Sequence, residues 1–495
     1  MTVTVHFPAL AIVLPLIAAP TIAVLRHRHT AWAVALLVCW AAFGMSVHML
    51  MTALSSGPFS YALGGWEPPI GIEYRIDAFN AFILSIVSGV GALCVIYARA
   101  SVDREIAHTS QTLFYTMYLL VISGLMGITI TGDAFNAFVF LEISSLATYT
   151  LVAMGRGRKA LMASYQYLIM GTVGATFYLI GIGLLYQMTG TLNIADLSDR
   201  VQAVQNTTPV VAAFGFISVG LFIKVALFPL HQWLPNAYAY APSVVTALLA
   251  ATATKVSIYL LIRIMLSLFG QDFAFNSMPL ETVIGVLGVA AMFVGSIVAI
   301  FQRDAKRMLA YSSVAQVGYT LLGLSFATLT GLTAALVHLA NHAMIKAGLF
   351  MALGAVFYRL AGTNRAALQG LSRRMPLTAF GIVLGGLSLI GVPLTVGFVS
   401  KWYLVQAALE KGWWPVTAAI LLSSLIAIIY VWRLVEIMYF KAPDPAQIDS
   451  QSRLPISMIA PMWIMIALCF AAGIFTDWTL LVAKSAAYEL ISEGH

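Results

Sequence analysis

Seven ionisable side chains interrupt sequence that is otherwise apolar. Glu142 follows Phe138-Val139-Phe140-Leu141, and Lys224 follows Leu221-Phe222-Ile223. Lys255 closes Ala250-Ala251-Thr252-Ala253-Thr254, and Lys401 follows Gly397-Phe398-Val399-Ser400. His338, His342 and Lys346 recur every four residues, so they stack on one face of a single helix. These residue types suit proton transfer. Burial disfavours the charged form of a side chain, and an opposing charge favours it. A Glu–Lys pair followed by lysines and histidines is a chain of coupled titrations. Water must bridge the gaps between side chains on separate helices.

Such residues are expensive. A charge at mid-bilayer costs ~2.5–3.5 kcal/mol on insertion scales. Four buried lysines would together cost on the order of 10 kcal/mol without partners or water. Simpler readings exist for some of them. Lys401 or Arg433 near a window end could snorkel to the interface, a lone histidine could bond a backbone carbonyl, and Arg433 with Glu436 could form an internal pair. Glu142, Lys224 and Lys255 taken together are not explained that way, because lysines outnumber acids.

Two of the lysines have helix breakers beside them. Pro229 lies in Leu227-Phe228-Pro229-Leu230-His231, just after Lys224, and Pro393 lies in Gly391-Val392-Pro393-Leu394, before Lys401. A proline frees a carbonyl and kinks a helix. Broken helices at membrane depth are tolerated where they line a cavity, and they mark transport sites.

The elements that must hold these residues follow from composition. The chain has 495 residues, 61% hydrophobic and 9% charged, with a mean hydropathy of +0.92. Soluble domains carry about 25% charged residues. A soluble enzyme, a disordered chain and a nucleic-acid binder are excluded, and the lipid bilayer is the expected surrounding. Fourteen apolar windows fall near 7–25, 31–53, 76–98, 112–131, 134–154, 164–188, 210–230, 242–265, 279–301, 307–326, 330–358, 376–408, 415–440 and 454–476. Their length demands helices, since barrel strands alternate and run only about ten residues. The first window reads as a retained span, not a cleaved signal.

Lys and Arg give the orientation. Connections after odd-numbered windows hold sixteen of them, and connections after even-numbered windows hold four: Arg75, Arg200, Arg263 and Lys411. By the positive-inside rule the odd connections are cytoplasmic and both termini lie outside. The net charge of +7 is then mainly a topology signal.

Lys224 falls in the seventh window and Lys401 in the twelfth. An offset of five means the two spans cross in opposite directions, which predicts inverted five-helix repeats over windows 4–8 and 9–13. The expected fold is an all-α polytopic membrane protein of about fourteen helices, with the seventh and twelfth broken. Its parts are an N-terminal segment (1–111), two repeats (112–265 and 266–440), and a last span with a C-terminal tail (441–495). Cys39, Cys94 and Cys469 are isolated. No metal-ligand spacing, phosphate loop, dinucleotide fingerprint or hydrolase triad is present, so no metal, cofactor or ATP drive is expected.

Several long motifs, in order, resemble the proton-conducting antiporter-like family. Members include the D-type component of Mrp-type multisubunit cation/proton antiporters and antiporter-like subunits of respiratory complex I and membrane-bound hydrogenases. The motifs are Gly132-Asp133-Ala134-Phe135 leading to Glu142, Lys224 through Leu249 (KVALFPLHQWLPNAYAYAPSVVTALL), the run from Asp304 to Ser313, His338-xxx-His342 with Lys346, and the run from Leu387 to Lys401. The resemblance implies a fold of fourteen helices. It also implies a proton route through Glu142, Lys224, Lys255, His338, His342, Lys346 and Lys401. Family members vary at the position of Lys346. The segment from Gly64 to Ile72 looks most like the Mrp D-type component. The implied function is that of a proton-translocating subunit in a hetero-oligomeric antiporter of the plasma membrane, exchanging a monovalent cation for protons. Sodium is expected on resemblance alone. The alternative is a proton-pumping subunit of a redox complex, with the electron chemistry in partner chains.

Overall fold

The computed structural model describes residues 3–443 and 453–493. Two long apolar helices open the chain, α1 (Phe7–Leu25) and α2 (Arg28–Ser56). The connection that follows holds two short strands, β1 (Phe59–Ala62) and β2 (Glu73–Ile76), paired antiparallel with Phe59 opposite Ile76. This hairpin adds to the all-helical expectation. Its edge is stapled to a later connection, around Gly132, whose N–H donates to the Glu73 carbonyl at 2.8 Å. Helix α3 (Ala78–Glu105) then starts on a reciprocal cap between Asp77 and Asn80.

Helices α4 (Gln111–Ile130), α5 (Ala134–Ala153) and α6 (Arg158–Thr189) follow, with a short amphipathic α7 (Ile194–Gln202). Helix α8 (Thr208–Val225) breaks and continues as α9 (Trp233–Tyr240). Helix α10 (Ser243–Ala251) breaks at Thr252 and continues as α11 (Ala253–Arg263), which ends in a π-helical turn over Ile264–Leu268. Helices α12 (Leu280–Phe301), α13 (Ala305–Ser325) and α14 (Leu329–Leu360) lead through short α15 (Arg365–Leu368) and α16 (Leu371–Arg374). Helix α17 (Pro376–Ile390) breaks before α18 (Val396–Glu410), and α19 (Trp414–Val435) ends in a second π-helical turn over Glu436–Phe440. Helices α20 (Ile456–Ile474) and α21 (Thr476–Glu493) complete the described chain.

Twelve of the helical segments among the described residues are long and apolar enough to cross a membrane. Helix α13 is long enough but carries Ser312, Ser313, Gln316 and Thr320, and the α17–α18 pair is split. Each of the fourteen apolar windows coincides with one of these helices or with a broken pair. The breaks fall where Pro229 and Pro393 placed them, after Val225 and after Ile390. The break at Thr252 carries no proline or glycine, so nothing in the local sequence marks it.

The chain repeats itself in structure where it does not in sequence. Asp133 caps α5 and forms a bridge to Asn193, which caps α7. Asp304 caps α13 and forms the same bridge to Asn364, which caps α15. Both partners lie 171 residues beyond their counterparts. The fifth helix of each set ends in a π-helical turn. Helices α6 and α8 cross so closely that a Cβ on Gly220 would sit 2.6 Å from the Gly174 carbonyl oxygen, so backbone packs on backbone there.

The C-terminal tail is more ordered than a tail needs to be. Thr479, Val482, Ala483, Ala486, Ala487 and Leu490 are buried at helical spacing, and α21 packs against α3 and α14.

Candidate functional site

The seven expected residues come from several helices, and the helix breaks position most of them. Lys224 lies in the last turn of α8. Its ammonium donates to Ser145 Oγ on α5 at 2.9 Å and stands 3.8 Å from Glu142 Oε1, one turn earlier on the same helix. Beyond Val225 the chain turns through Ala226, whose φ is 60°. The carbonyl of Ile223 at the break accepts both the Ala226 backbone N–H at 3.1 Å and Trp233 Nε1 at 3.0 Å. That indole stacks on Tyr167 with centroids 4.1 Å apart. The break is thus a built feature with its polar groups satisfied.

Lys255 is fully buried. It reaches back across the α10–α11 break and donates to the Ala250 carbonyl, and also to Thr254 Oγ1 at 3.3 Å. Lys401 does the same across the other break, donating to the Ile390 and Leu389 carbonyls at 2.7 and 3.3 Å. Both ammoniums therefore sit at the C-terminal end of a half-helix, where unsatisfied carbonyls carry partial negative charge. Lys401 also lies 4.8 Å from the centroid of the Tyr319 ring. Carbonyls, hydroxyls and an aromatic face take the place of the carboxylates that the sequence lacks.

Helix α14 joins these points. His338 Nδ1 is 2.9 Å from Ser400 Oγ, next to Lys401, and the His338 and His342 rings are 6.5 Å apart. Lys346 donates to Ser312 Oγ at 2.5 Å and to the Leu309 carbonyl at 2.8 Å, both on α13. Helix α14 packs against α10, whose C-terminal end receives Lys255. His338 Nε2 and His342 Nε2 are buried and have no hydrogen-bond partner among the described residues. Between Lys224 and α11 lies a cavity of about 20 Å³ that touches Ser145, Ala253 and Ser257. It has room for roughly one water. The row runs from Glu142 through Lys224, Lys255 and α14 to Lys401.

Other expectations are corrected. Arg433 does not pair with Glu436. It donates to the Ile300 carbonyl, and Glu436 pairs with Lys441 at 3.7 Å. Lys306 and Arg263 count as topology charges in the sequence, yet both are buried. Lys306 donates to Ser243 Oγ at 3.1 Å, and the Ser243 N–H donates to Glu105 at 3.0 Å. Arg263 pairs with Asp77 at 2.5 Å. Ser145, Ser312 and Ser400 hold the ammoniums and the imidazole; Ser312 and Ser400 lie within the motif runs, but nothing in the sequence marks any of the three as a partner, because a serine in an apolar helix is ordinary.

Many apolar helices around a buried row of charges define a multi-pass membrane protein with a polar axis. Comparison with known proteins makes this specific. Residues 131–427 match the model of the NADH:quinone oxidoreductase/Mrp antiporter transmembrane family. The chain belongs to this family. It is 40% identical over 493 residues to the N-type component of the NADH-quinone oxidoreductase of Desulforudis audaxviator, covering 96% of this chain and 97% of that one. It is 29% identical over 444 residues to the D-type component of the Na(+)/H(+) antiporter of Alkalihalophilus pseudofirmus, covering 89% and 88%. Among solved structures it matches a chain of the Mrp complex from Dietzia sp. with a TM-score of 0.91 and 26% identity, over 99% of this chain and 98% of that one. It also matches a chain of the archaeal membrane-bound sulfane sulfur reductase with a TM-score of 0.90 and 32% identity, over 98% and 97%.

Proposed function

We propose that this chain is the proton-translocating subunit of a multisubunit monovalent cation/proton antiporter, with Na+ as the cation. The observation that carries the reading is the buried row from Glu142 to Lys401, in which each ammonium is held by oxygen atoms that water can replace. Protons pass along it as each site is loaded and unloaded in turn. The chain itself performs no bond-making beyond proton transfer. Its other subunits, a plasma-membrane location and both termini outside belong to the same proposal. So do two repeats spanning 112–265 and 266–440 within fourteen spans, and the assignment of Glu142, Lys224, Lys255, His338, His342, Lys346 and Lys401 to the route. Likeness to the antiporter relatives and to the Mrp structure supports it.

A second reading has its own support. The 40% identity to an oxidoreductase component and the 32% identity to a respiratory membrane complex favour membership of a redox-driven complex. The route through this chain would be the same, and only the driving partner would differ. One purification separates the two. Flavin or iron–sulfur absorption in the intact complex makes it the redox assembly. A colourless complex that supports sodium-dependent proton movement in everted vesicles makes it the antiporter.

A further inference from the structure

We infer that a pocket between α12, α15 and α19 binds an anionic phosphate oxygen, supplied by the headgroup of an acidic phospholipid in the cytoplasmic leaflet. The pocket is separate from the buried row of charges. A cavity of about 20 Å³ lies among Arg303, Asp304, Arg365, Tyr430 and Arg433. It has room for roughly one oxygen atom the size of a water. Three arginines against one aspartate leave its lining positive. The Asp304 carboxylate is already engaged, accepting the Arg307 N–H at 3.1 Å and the Thr363 hydroxyl at 2.7 Å. Among the described residues none of the three arginines pairs with a carboxylate, and the Arg433 guanidinium donates to the Ile300 carbonyl.

The internal repeat accounts for a free donor here. In the first repeat the Tyr259 hydroxyl donates to the Thr129 carbonyl at 2.9 Å. Tyr430 and Ile300 lie 171 residues beyond Tyr259 and Thr129, the same offset that separates the two cap bridges. In the second repeat Arg433 takes that carbonyl. Tyr430 is 0% exposed and lines the cavity, and its hydroxyl has no hydrogen-bond partner among the described residues. Leaving a buried hydroxyl unpaired is costly, so an acceptor is wanted at this point. A phenol O–H and guanidinium forks are the donors that match an oxyanion, and phosphate above all.

The surroundings favour a lipid over a soluble anion. Phe301 at the end of α12 is 73% exposed, and Ile297, one turn earlier on the same face, is exposed too. On α19, Trp432 and Ile429 are likewise exposed on one face. These apolar stripes lead from the pocket along both helices, where acyl chains lie. Arg303 and Arg365 are exposed in the connections that follow α12 and α14, on the side that the Lys/Arg bias marks as cytoplasmic. Basic pockets between helices on that side take anionic headgroups. One phosphoryl oxygen enters beside Tyr430, and the rest of the headgroup stays outside against Arg303 and Arg365.

The test titrates the purified, delipidated complex in detergent with phosphatidylglycerol, with phosphatidylcholine of the same chains, and with inorganic phosphate alone. Bound lipid is counted by native mass spectrometry, and the thermal unfolding midpoint is followed in parallel. Phosphatidylglycerol should bind more tightly than phosphatidylcholine. Tyr430→Phe should weaken that binding roughly tenfold, because it removes a hydrogen bond to a charged group. Arg365→Gln should weaken it roughly fivefold. Arg158→Gln, which alters an exposed arginine outside the pocket, should leave it unchanged. Without lipid, Tyr430→Phe should unfold no earlier than wild type, since the hydroxyl it removes has no partner to lose, and this separates a binding defect from a folding defect. Equal binding of phosphatidylglycerol by wild type and Tyr430→Phe, or an equal loss in Arg158→Gln, overturns the pocket. So does earlier unfolding of lipid-free Tyr430→Phe. Inorganic phosphate that displaces phosphatidylglycerol and raises the wild-type midpoint, but not that of Tyr430→Phe, overturns the lipid as the source.

Discussion

Lys224 has one close hydrogen bond and one carboxylate at a distance, and that combination sets what its substitution does. Removing Glu142 leaves the buried ammonium with the Ser145 hydroxyl as its remaining partner among the described residues. Removing Lys224 leaves the partly buried carboxylate of Glu142 without its cation. Glu142→Ala and Lys224→Ala should each reduce proton-coupled exchange in everted vesicles to background while the complex still assembles. Near-normal exchange in either would sink the route. Ser145→Ala is a milder test. A hydrogen bond to a charged group is worth about 1.5–3 kcal/mol, so exchange should fall roughly tenfold or more. An unchanged rate would mean that Ser145 does not position the ammonium. Lys401→Ala should abolish sodium tolerance in a strain lacking other antiporters. These lysines were legible in the sequence because charge is rare within apolar windows. Their oxygen partners were not, because no pattern marks which carbonyl a break will free.

At the scale of the element, the broken helices are the working parts. Helices α8, α10 and α17 all end beside a buried lysine. Two of those breaks announced themselves through Pro229 and Pro393, while Thr252 did not. Each break must find partners for its freed carbonyls or it will not persist in an apolar interior. Trp233→Phe tests this directly. It keeps an aromatic ring beside Tyr167 but removes the side-chain donor to the Ile223 carbonyl, which then keeps only the Ala226 N–H. The cost should be about 0.5–1.5 kcal/mol, read as a lower thermal unfolding midpoint of the purified complex. A midpoint equal to wild type would show that the break is satisfied in another way. The Asp133–Asn193 and Asp304–Asn364 bridges were also hidden, because a cap is a local signal but its partner lies about sixty residues away.

At the scale of the whole molecule, orientation follows from loop charge and function from company. Tags at both termini should be reached by reagents outside intact cells, and access only from the cytoplasm would reverse the topology. The purified complex should be colourless if it is an antiporter. Relatives in both antiporter and respiratory assemblies share this fold, so the chain alone does not select the assembly.

The membrane class, the windows, the two proline breaks and the costly charges were all legible in the sequence. Each of these depends on local composition, and apolar length and loop charge are read one segment at a time. Tertiary structure alone decided that Lys306 and Arg263 are buried and that Asp77 meets Arg263 across 186 residues. It also decided that half-helix ends receive Lys255 and Lys401. Those outcomes depend on which helix packs against which. Apolar helices of similar composition carry little information about their neighbours, so only the assembled bundle decides which polar atoms meet.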